Sequence, residues 1–134
     1  MSVLCVDDEA QNLDAIRRAF RKNTDLKVQS AESSAAAMQL VRAEKFDLFL
    51  VDYSMAGVNG VEFIEQAKVL APNAVFIMLT GYPELKKVVD AHARGLVDGI
   101  LGKPWSAEEL TLTVTQARSI LHLRAIRLGV AERG

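Results

Sequence analysis

The stretch Phe46–Asp52 reads Phe-Asp-Leu-Phe-Leu-Val-Asp, and it is the part of the sequence that most strongly indicates the fold. The run up to Val51 is apolar apart from Asp47 and shows no regular alternation of polar and apolar residues. Such a run is typical of a strand that is covered on both faces, as in a parallel sheet. It ends at a carboxylate, Asp52, which therefore falls at the carboxyl end of the predicted strand.

Four other segments are also predicted to be strands. Three are apolar runs, and the fourth alternates more and is predicted to be an edge strand. The runs are Val3–Val6, Ala74–Leu79 and Leu96–Leu101, and the edge segment is Leu26–Ala31.

The segments between these strands carry apolar residues at helical spacing or residues that favour helix ends. The first has Leu13, Ile16 and Phe20 on one face, and the second is expected to be capped by Ser33 or Ser34. The third is predicted over Gly60–Leu70, the fourth over Glu84–Arg94 with Pro83 in its first turn, and the fifth begins with the capping-box pair Ser106 and Glu109. A strand followed by a helix, five times over, predicts an open α/β sheet with helices on both faces.

The composition is that of one globular domain. The chain has 134 residues, of which 50% are apolar and 25% charged, with a formal net charge of −1. This balance lacks the basic excess of a nucleic-acid binder, and no apolar run approaches the ~20 residues of a membrane span. The single cysteine, Cys5, cannot form an intramolecular disulfide. We therefore expect a cytoplasmic protein that binds neither nucleic acid nor membrane directly.

Polar side chains gather where the predicted strands end. Asp7 and Asp8 follow the first strand, Asp52 ends the third, Thr80 follows the fourth and Lys103 follows the fifth. Ligands of open α/β sheets bind beyond the carboxyl ends of the strands. Three carboxylates there would repel one another unless a cation neutralised them, and such hard oxygen ligands suit Mg²⁺. An aspartate is also a competent nucleophile towards phosphorus, and a lysine and a hydroxyl could stabilise a bound phosphoryl group.

These residues, in this order, resemble the receiver domain of two-component response regulators. Each expected strand next to the site ends in a polar motif: the acid pair Asp7-Asp8, then Asp52, Thr80 and the Lys103-Pro104 dipeptide. In addition, Gly60 lies eight residues after Asp52. The resemblance implies a flavodoxin-like (βα)5 fold with strand order 2-1-3-4-5. It also implies a receiver domain over residues 1–125, followed by a tail or the start of a linker over residues 126–134.

The resemblance also implies the role of each site residue. Asp52 would accept a phosphoryl group from the phosphohistidine of a sensor kinase or phosphotransfer protein. Asp7, Asp8, Asp52 and the backbone carbonyl of Ser54 would bind Mg²⁺, while Thr80 and Lys103 would act with Asp52 on the phosphoryl group. The domain would support its own phosphorylation and slow dephosphorylation. It would then switch a surface made by the fourth helix, fifth strand and fifth helix, towards a homodimer, a partner or an output domain beyond residue 134.

Two positions depart from the family pattern. Ile100 stands three residues before Lys103, where the family usually has an aromatic ring that moves on phosphorylation. Ala56 replaces a common proline four residues after Asp52, which we expect to loosen that loop. Along the fifth helix, Leu112, Ile120, Leu123 and Ile126 lie off the predicted inward stripe, which fits either a partner surface or a broad core face.

Two other functions remain as alternatives. Haloacid-dehalogenase-type phosphohydrolases also combine aspartate, threonine, lysine and an acid pair. In those enzymes the nucleophile comes in the first motif and the acid pair in the last, which is the reverse of the order here. A pseudo-receiver that only binds a partner is the other alternative, and Ile100 is the feature that favours it.

Overall fold

Five strands and five helices alternate along residues 1–129, the part of the chain that the computed structural model describes. The strands are β1 (Ser2–Val6), β2 (Lys27–Ala31), β3 (Leu48–Asp52), β4 (Val75–Thr80) and β5 (Gly99–Gly102). The helices are α1 (Ala10–Ala19), α2 (Ser34–Ala43), α3 (Gly60–Leu70), α4 (Lys86–Ala93) and α5 (Ala107–Arg127). The predicted alternation of strand and helix is confirmed.

All five strands are parallel and form one sheet in the order β2-β1-β3-β4-β5. This is the doubly wound, flavodoxin-like order, so the predicted fold class is also confirmed. Every residue of β3 is buried, as its continuous apolar run predicts, whereas β2 is partly exposed at the edge. The strand order makes β1, β3, β4 and β5 consecutive neighbours, and their carboxyl ends therefore share one edge of the sheet.

The sheet has a separate apolar core on each face. One core lies under α2, α3 and α4 and contains Phe49 and Phe76, whose rings stack with centroids 4.5 Å apart. The other lies under α1 and α5, with Leu13, Ile16 and Leu110 among its buried side chains. Burying each large side chain contributes roughly 1.5–3 kcal/mol. The two cores hold the strands in a fixed register and so fix the positions of the groups at their ends.

Several element boundaries differ by one to three residues from the sequence-based expectation, and hydrogen bonds explain two of these differences. Helix α4 begins at Lys86 and not at Glu84, because the Leu85 N–H donates to the Tyr82 carbonyl and closes a turn that holds Pro83 outside the helix. Strand β5 begins at Gly99 and not at Leu96. The N–H groups of Leu96 and Val97 both donate to the carbonyl of Ala91 at the end of α4, so they do not enter the sheet.

Helix α5 starts with the predicted capping box. The Ser106 hydroxyl accepts from the Glu109 N–H, and the Glu109 carboxylate accepts from the Ser106 N–H. The helix continues to Arg127, and residues 130–134 of the predicted tail lie outside the described residues. Of the four apolar residues off its inward stripe, Ile120 packs against the core, while Leu112, Leu123 and Ile126 are exposed. No helix among residues 1–129 is both long and apolar enough to cross a membrane.

Candidate functional site

The carboxyl ends of four neighbouring strands bring the predicted site residues to one edge of the sheet. Asp52 is the last residue of β3 and Thr80 the last of β4, while Asp7 directly follows β1 and Lys103 directly follows β5. Asp7, Asp52 and Thr80 are buried, a rare environment for such polar groups. The Lys103 N–H donates to the Thr80 carbonyl at 2.8 Å and so extends the pairing of β4 and β5 into the site.

Three carboxylates form the acidic part of this site. Asp7, Asp8 and Asp52 each offer an oxygen, and these three atoms lie within 4.8 Å of one another. Asp7 is 1% exposed and Asp52 5% exposed, whereas Asp8 faces solvent. One exposed and two buried carboxylates leave an open side towards water. The donor set is therefore suited to Mg²⁺, which takes few carboxylates and keeps several of its waters.

Lys103 supplies the positive charge of the site. Its Nζ donates to Asp52 Oδ1 at 2.7 Å and lies 3.5 Å from Asp7 Oδ2. The peptide bond that follows, between Lys103 and Pro104, is cis. The ammonium group thus holds one oxygen of Asp52, and among residues 1–129 the other oxygen of that carboxylate accepts no hydrogen bond.

Burial and the neighbouring charges shift the acid–base behaviour of this pair. Burial raises the pKa of Asp52, and the charges of Asp7 and Asp8 act in the same direction. The hydrogen bond and charge of Lys103 oppose the shift without cancelling it, so the pKa of Asp52 stays above its ordinary value. For Lys103, burial lowers the pKa, but the hydrogen bond and charge of Asp52 and the charge of Asp7 outweigh it, and the net pKa is raised. The lysine therefore stays charged at neutral pH.

Thr80 places a hydroxyl beside the charged groups. Its Oγ1 accepts a hydrogen bond from the Tyr82 N–H at 3.0 Å. Because that contact uses a lone pair of the oxygen, the hydroxyl hydrogen remains free to donate. Gly81 lies between the two residues, and a Cβ built there would meet nothing within 4 Å. Gly81 therefore borders an open space next to the buried Thr80.

The loop between β3 and α3 passes closely beneath Asp52. A Cβ at Gly60 would lie 2.6 Å from the Asp52 carbonyl oxygen and 3.0 Å from Tyr53 Cα, so only glycine fits. The Gly60 N–H donates to the Tyr53 carbonyl at 2.8 Å, and Asn59 caps α3 through the Glu62 N–H. These contacts explain why a glycine is needed eight residues after Asp52. Ser54, whose carbonyl is a predicted Mg²⁺ ligand, lies exposed in the same loop.

The structure adds two groups that sequence reasoning missed. The Asn12 side chain donates to Asp7 Oδ2 at 3.1 Å, and the Ala56 N–H donates to Asp8 Oδ2 at 3.1 Å. Asn12 lies in the first turns of α1, and that position was the only signal that could have pointed to it. The Ala56 contact uses the backbone, so no side-chain pattern could have identified it. Glu9 is exposed directly before α1 and lies outside the cluster of carboxylates.

Ile100 lies away from the charged groups. It belongs to β5, pairs in register with Met78 of β4, and packs against the core beneath α4 while remaining partly exposed. An aliphatic side chain at this place can repack, but it has neither a hydroxyl nor a ring to exchange between core and solvent.

Comparison with known proteins identifies relatives of the chain. Residues 3–115 match the family described as the response regulator receiver domain. The hydrogenase transcriptional regulatory protein HoxA of Cupriavidus necator is 32% identical over 87% of this chain and 24% of its own length. The transcriptional regulatory protein ZraR of Klebsiella oxytoca is 29% identical over 98% of this chain and 29% of its own length. The chain thus spans about a quarter of the length of these curated relatives.

Solved structures show the same fold. A structure described as adenylate cyclase from Rhodopirellula baltica superposes with a TM-score of 0.88 and 26% identity, over 99% of this chain and 98% of that one. A CheY-like response regulator receiver domain protein from Methanospirillum hungatei superposes with a TM-score of 0.84 and 25% identity, over 92% of this chain and 97% of that one.

Proposed function

The chain belongs to the family of response regulator receiver domains, and on that premise we propose that it is a phosphoacceptor switch with Asp52 as the acceptor. The observation that carries the proposal is the environment of the Asp52 carboxylate. One oxygen is held by Lys103 at 2.7 Å, while two further carboxylates lie close enough to share a cation with it.

The proposed chemistry is nucleophilic attack by the Asp52 carboxylate on phosphorus. The new bond joins a carboxylate oxygen to phosphorus, and the bond from phosphorus to the donor's leaving group breaks, which gives an acyl phosphate. Positioning and charge stabilisation dominate phosphoryl transfer, so the protein mainly has to hold its groups in place. The oxygen of Asp52 that Lys103 does not hold is the proposed nucleophile.

The charged groups around Asp52 have separate proposed roles. Asp7, Asp8, Asp52 and the Ser54 carbonyl would bind Mg²⁺, which supplies positive charge to the phosphoryl oxygens and relieves the repulsion among the carboxylates. Lys103 would transfer its hydrogen bond from Asp52 to a phosphoryl oxygen. Thr80 would donate its free hydroxyl hydrogen to another phosphoryl oxygen, in the open space beside Gly81.

The partners of the domain follow from the same proposal. A phosphohistidine of a sensor kinase or phosphotransfer protein is the proposed donor. Phosphorylation adds about −1.5 to −2 charge, which would shift an existing equilibrium at α4, β5 and α5. Three exposed apolar side chains lie on or just before α4, namely Tyr82, Leu85 and Val89, and they would contribute to a surface for a second copy, a partner or an output domain.

The test is direct phosphorylation by a small donor. The chain is incubated with acetyl phosphate and Mg²⁺, and its intact mass is measured for the wild type and for Asp52→Asn. We expect the wild type alone to gain one phosphoryl group, and to gain none when EDTA replaces Mg²⁺. Labelling of both proteins would place the acceptor elsewhere. Labelling of neither would favour the pseudo-receiver, in which the domain acts only through binding.

The phosphohydrolase alternative is tested in the same reaction. A hydrolase would release inorganic phosphate with many turnovers, whereas a switch retains its phosphoryl group and releases it slowly. The phosphate from spontaneous breakdown of acetyl phosphate is subtracted. We expect the remaining phosphate released during the incubation to be about one mole per mole of protein.

A further inference from the structure

A groove of about 550 Å³ crosses the edge of the sheet that lies opposite Asp52. It lies between the ends of α2 and α3, which cover one face of the sheet, and the last turns of α5, which covers the other. Asp47 and Ala74, which directly precede β3 and β4, also line it. None of its lining residues belongs to the site around Asp52, so its ligand is a question beyond the proposed function.

The lining of the groove is largely apolar and continues onto the open surface. Val41 and Phe46 line the groove and are buried. Leu70 and Leu128 line it as well, but they are 51% and 58% exposed, and Val69 beside Leu70 is 79% exposed. Contiguous apolar surface of this kind marks interaction sites. Because it extends past the cavity, it fits an elongated partner such as a helix.

The two acidic side chains of the groove already have partners within the chain. Glu44 Oε1 lies 3.6 Å from Lys27 Nζ and accepts from the Gln29 side chain at 3.1 Å. Asp47 Oδ2 accepts the Ser2 N–H at 2.9 Å. Both carboxylates are therefore engaged by the chain itself, which reduces what they offer to a cationic ligand.

Two of the three cationic side chains of the groove have no such partner. Arg124 is held by Asp98 and by two backbone carbonyls. Arg42 and Lys45 are exposed, and neither makes an ion pair or a side-chain hydrogen bond among residues 1–129. Arg42 lies in the last turn of α2, but the partial charge of about −0.5 at a helix end does not neutralise a full positive charge. The groove thus combines an apolar lining with two available positive charges.

We propose that this groove binds an acidic amphipathic helix of a partner protein, with apolar side chains in the groove and carboxylates beside Arg42 and Lys45. Laying apolar anchors at i, i+3, i+4 and i+7 into an apolar groove is a common mode of peptide recognition. Acidic residues beside these anchors pair with the two cations, and this complementarity favours an acidic helix over a neutral or basic one.

The test titrates the full chain with a synthetic peptide that has leucines at this spacing and glutamates at the other positions. Amide chemical shifts of residues 41–47 and 121–128 report binding at the groove. A second peptide, with glutamine in place of every glutamate, isolates the contribution of charge. We expect the acidic peptide to shift these amides and to bind about five-fold more tightly than the glutamine peptide, the effect of two exposed ion pairs. Shifts confined to other residues, or equal affinities, would overturn the proposal.

A double variant tests the two cations. Arg42→Gln combined with Lys45→Gln should weaken binding of the acidic peptide about five-fold and leave the glutamine peptide unaffected. Arg18→Gln combined with Lys22→Gln is the control, because it removes the same two charges near the end of α1, outside the groove. All four side chains are exposed, so both variants should fold. Equal losses in the two variants would show that net charge alone, and not the groove, attracts the peptide.

A second pair of variants tests the apolar lining. Leu70→Ala should weaken both peptides, whereas Leu112→Ala should weaken neither, because Leu112 is 56% exposed but lies outside the groove. Unchanged binding to Leu70→Ala would contradict docking in the groove. Sedimentation of the chain without peptide separates out a different occupant. If the chain dimerises and the same amides shift with its concentration, a second copy fills the groove and the proposal is wrong.

Discussion

Asp98 Oδ1 accepts a hydrogen bond from Arg124 Nη2 at 2.5 Å, and this pair attaches the last turns of α5 to the start of β5. The other carboxylate oxygen of Asp98 accepts from the Phe76 N–H at 3.0 Å, so the same residue also links β5 to β4. Arg124 Nη1 donates to the carbonyls of Asn73 and Ala74. The long final helix is therefore held at the end of the sheet opposite Asp52.

The first prediction concerns this attachment. Arg124→Ala should lower the free energy of unfolding by about 1–3 kcal/mol, because it leaves the largely buried Asp98 carboxylate without its cation and two carbonyls without a donor. Chemical denaturation measures the loss. Amide hydrogen exchange should also become faster over residues 121–127. Arg127→Ala is the control, because Arg127 is exposed on the same helix and makes no ion pair within the described residues. A similar loss in both variants would argue against a specific attachment.

The second prediction concerns the pH dependence contributed by Asp52. Because burial raises its pKa in the folded protein, the folded state binds this proton more tightly than the unfolded chain does. The ionised form therefore costs stability, and this cost develops as pH rises above the ordinary value of 3.8. In metal-free buffer, Asp52→Asn should be more stable than the wild type at pH 7, and the difference should shrink as the pH falls towards 3.8 and be largely absent below that value.

Urea denaturation from pH 3 to 8 measures this difference. Glu84→Gln is the control, since Glu84 is an exposed acid in the turn before α4. Adding Mg²⁺ should stabilise the wild type more than Asp52→Asn, because a ligand of the folded state adds to its stability. If Asp52→Asn were less stable than the wild type at pH 7 without metal, ionisation of Asp52 would not destabilise the folded state, and the prediction would be wrong.

The third prediction concerns Lys103. Lys103→Met removes the ammonium that lies between Asp52 and Asp7, so two buried carboxylates are left to repel each other. We expect a loss of about 1–3 kcal/mol in the free energy of unfolding at pH 7 without metal. The loss should diminish on acidification, as Asp52 becomes protonated, and acetyl phosphate labelling should fall sharply.

Lys86→Met provides the matched control for Lys103→Met. Lys86 is 90% exposed and pairs with Asp90 across one helical turn, a type of contact worth about 0.5 kcal/mol or less. If Lys103→Met were as stable as Lys86→Met at pH 7, the charge balance assigned to the site would be incorrect.

The fourth prediction concerns Gly60. Alanine normally favours a helix over glycine by about 1 kcal/mol, and Gly60 is the first residue of α3. Its Cβ would nevertheless meet the Asp52 carbonyl at 2.6 Å, and relieving such overpacking costs about 1–3 kcal/mol. Gly60→Ala should therefore destabilise the protein overall, and it should also weaken Mg²⁺ binding by displacing the Asp52 backbone.

Gly81→Ala is the control for the steric effect at Gly60. A Cβ at Gly81 meets nothing within 4 Å, and the residue has no positive φ. The thermal midpoint of Gly81→Ala should equal that of the wild type or be slightly higher, because alanine restricts the conformations of the unfolded chain. A Gly60→Ala variant as stable as Gly81→Ala would show that the backbone can move away from the added methyl group without cost.

The strands and helices could be predicted because their signals are local. The apolar run that ends at Asp52 predicts a buried strand, and Ser106 with Glu109 predicts a helix start, and both are confirmed. The start of α4 was predicted wrongly, since proline at a helix start is only a preference and the turn at Tyr82–Leu85 takes precedence. The start of β5 depends on the Ala91 carbonyl, which belongs to α4 and accepts the N–H groups of Leu96 and Val97. The residues of the strand itself therefore do not indicate where it begins.

The sequence by itself determined which chemical groups stand at the ends of the strands, because strand length and polarity follow from short-range patterns. Asp7, Asp52, Thr80 and Lys103 were therefore identifiable as neighbours once a parallel sheet was predicted. Only the tertiary structure decided that Ala56 reaches Asp8, that Asn12 reaches Asp7 and that Arg124 reaches Asp98. Each of these contacts joins elements that pack together through the sheet and its two cores. Their distances follow from how those elements pack, which no local pattern of residues specifies.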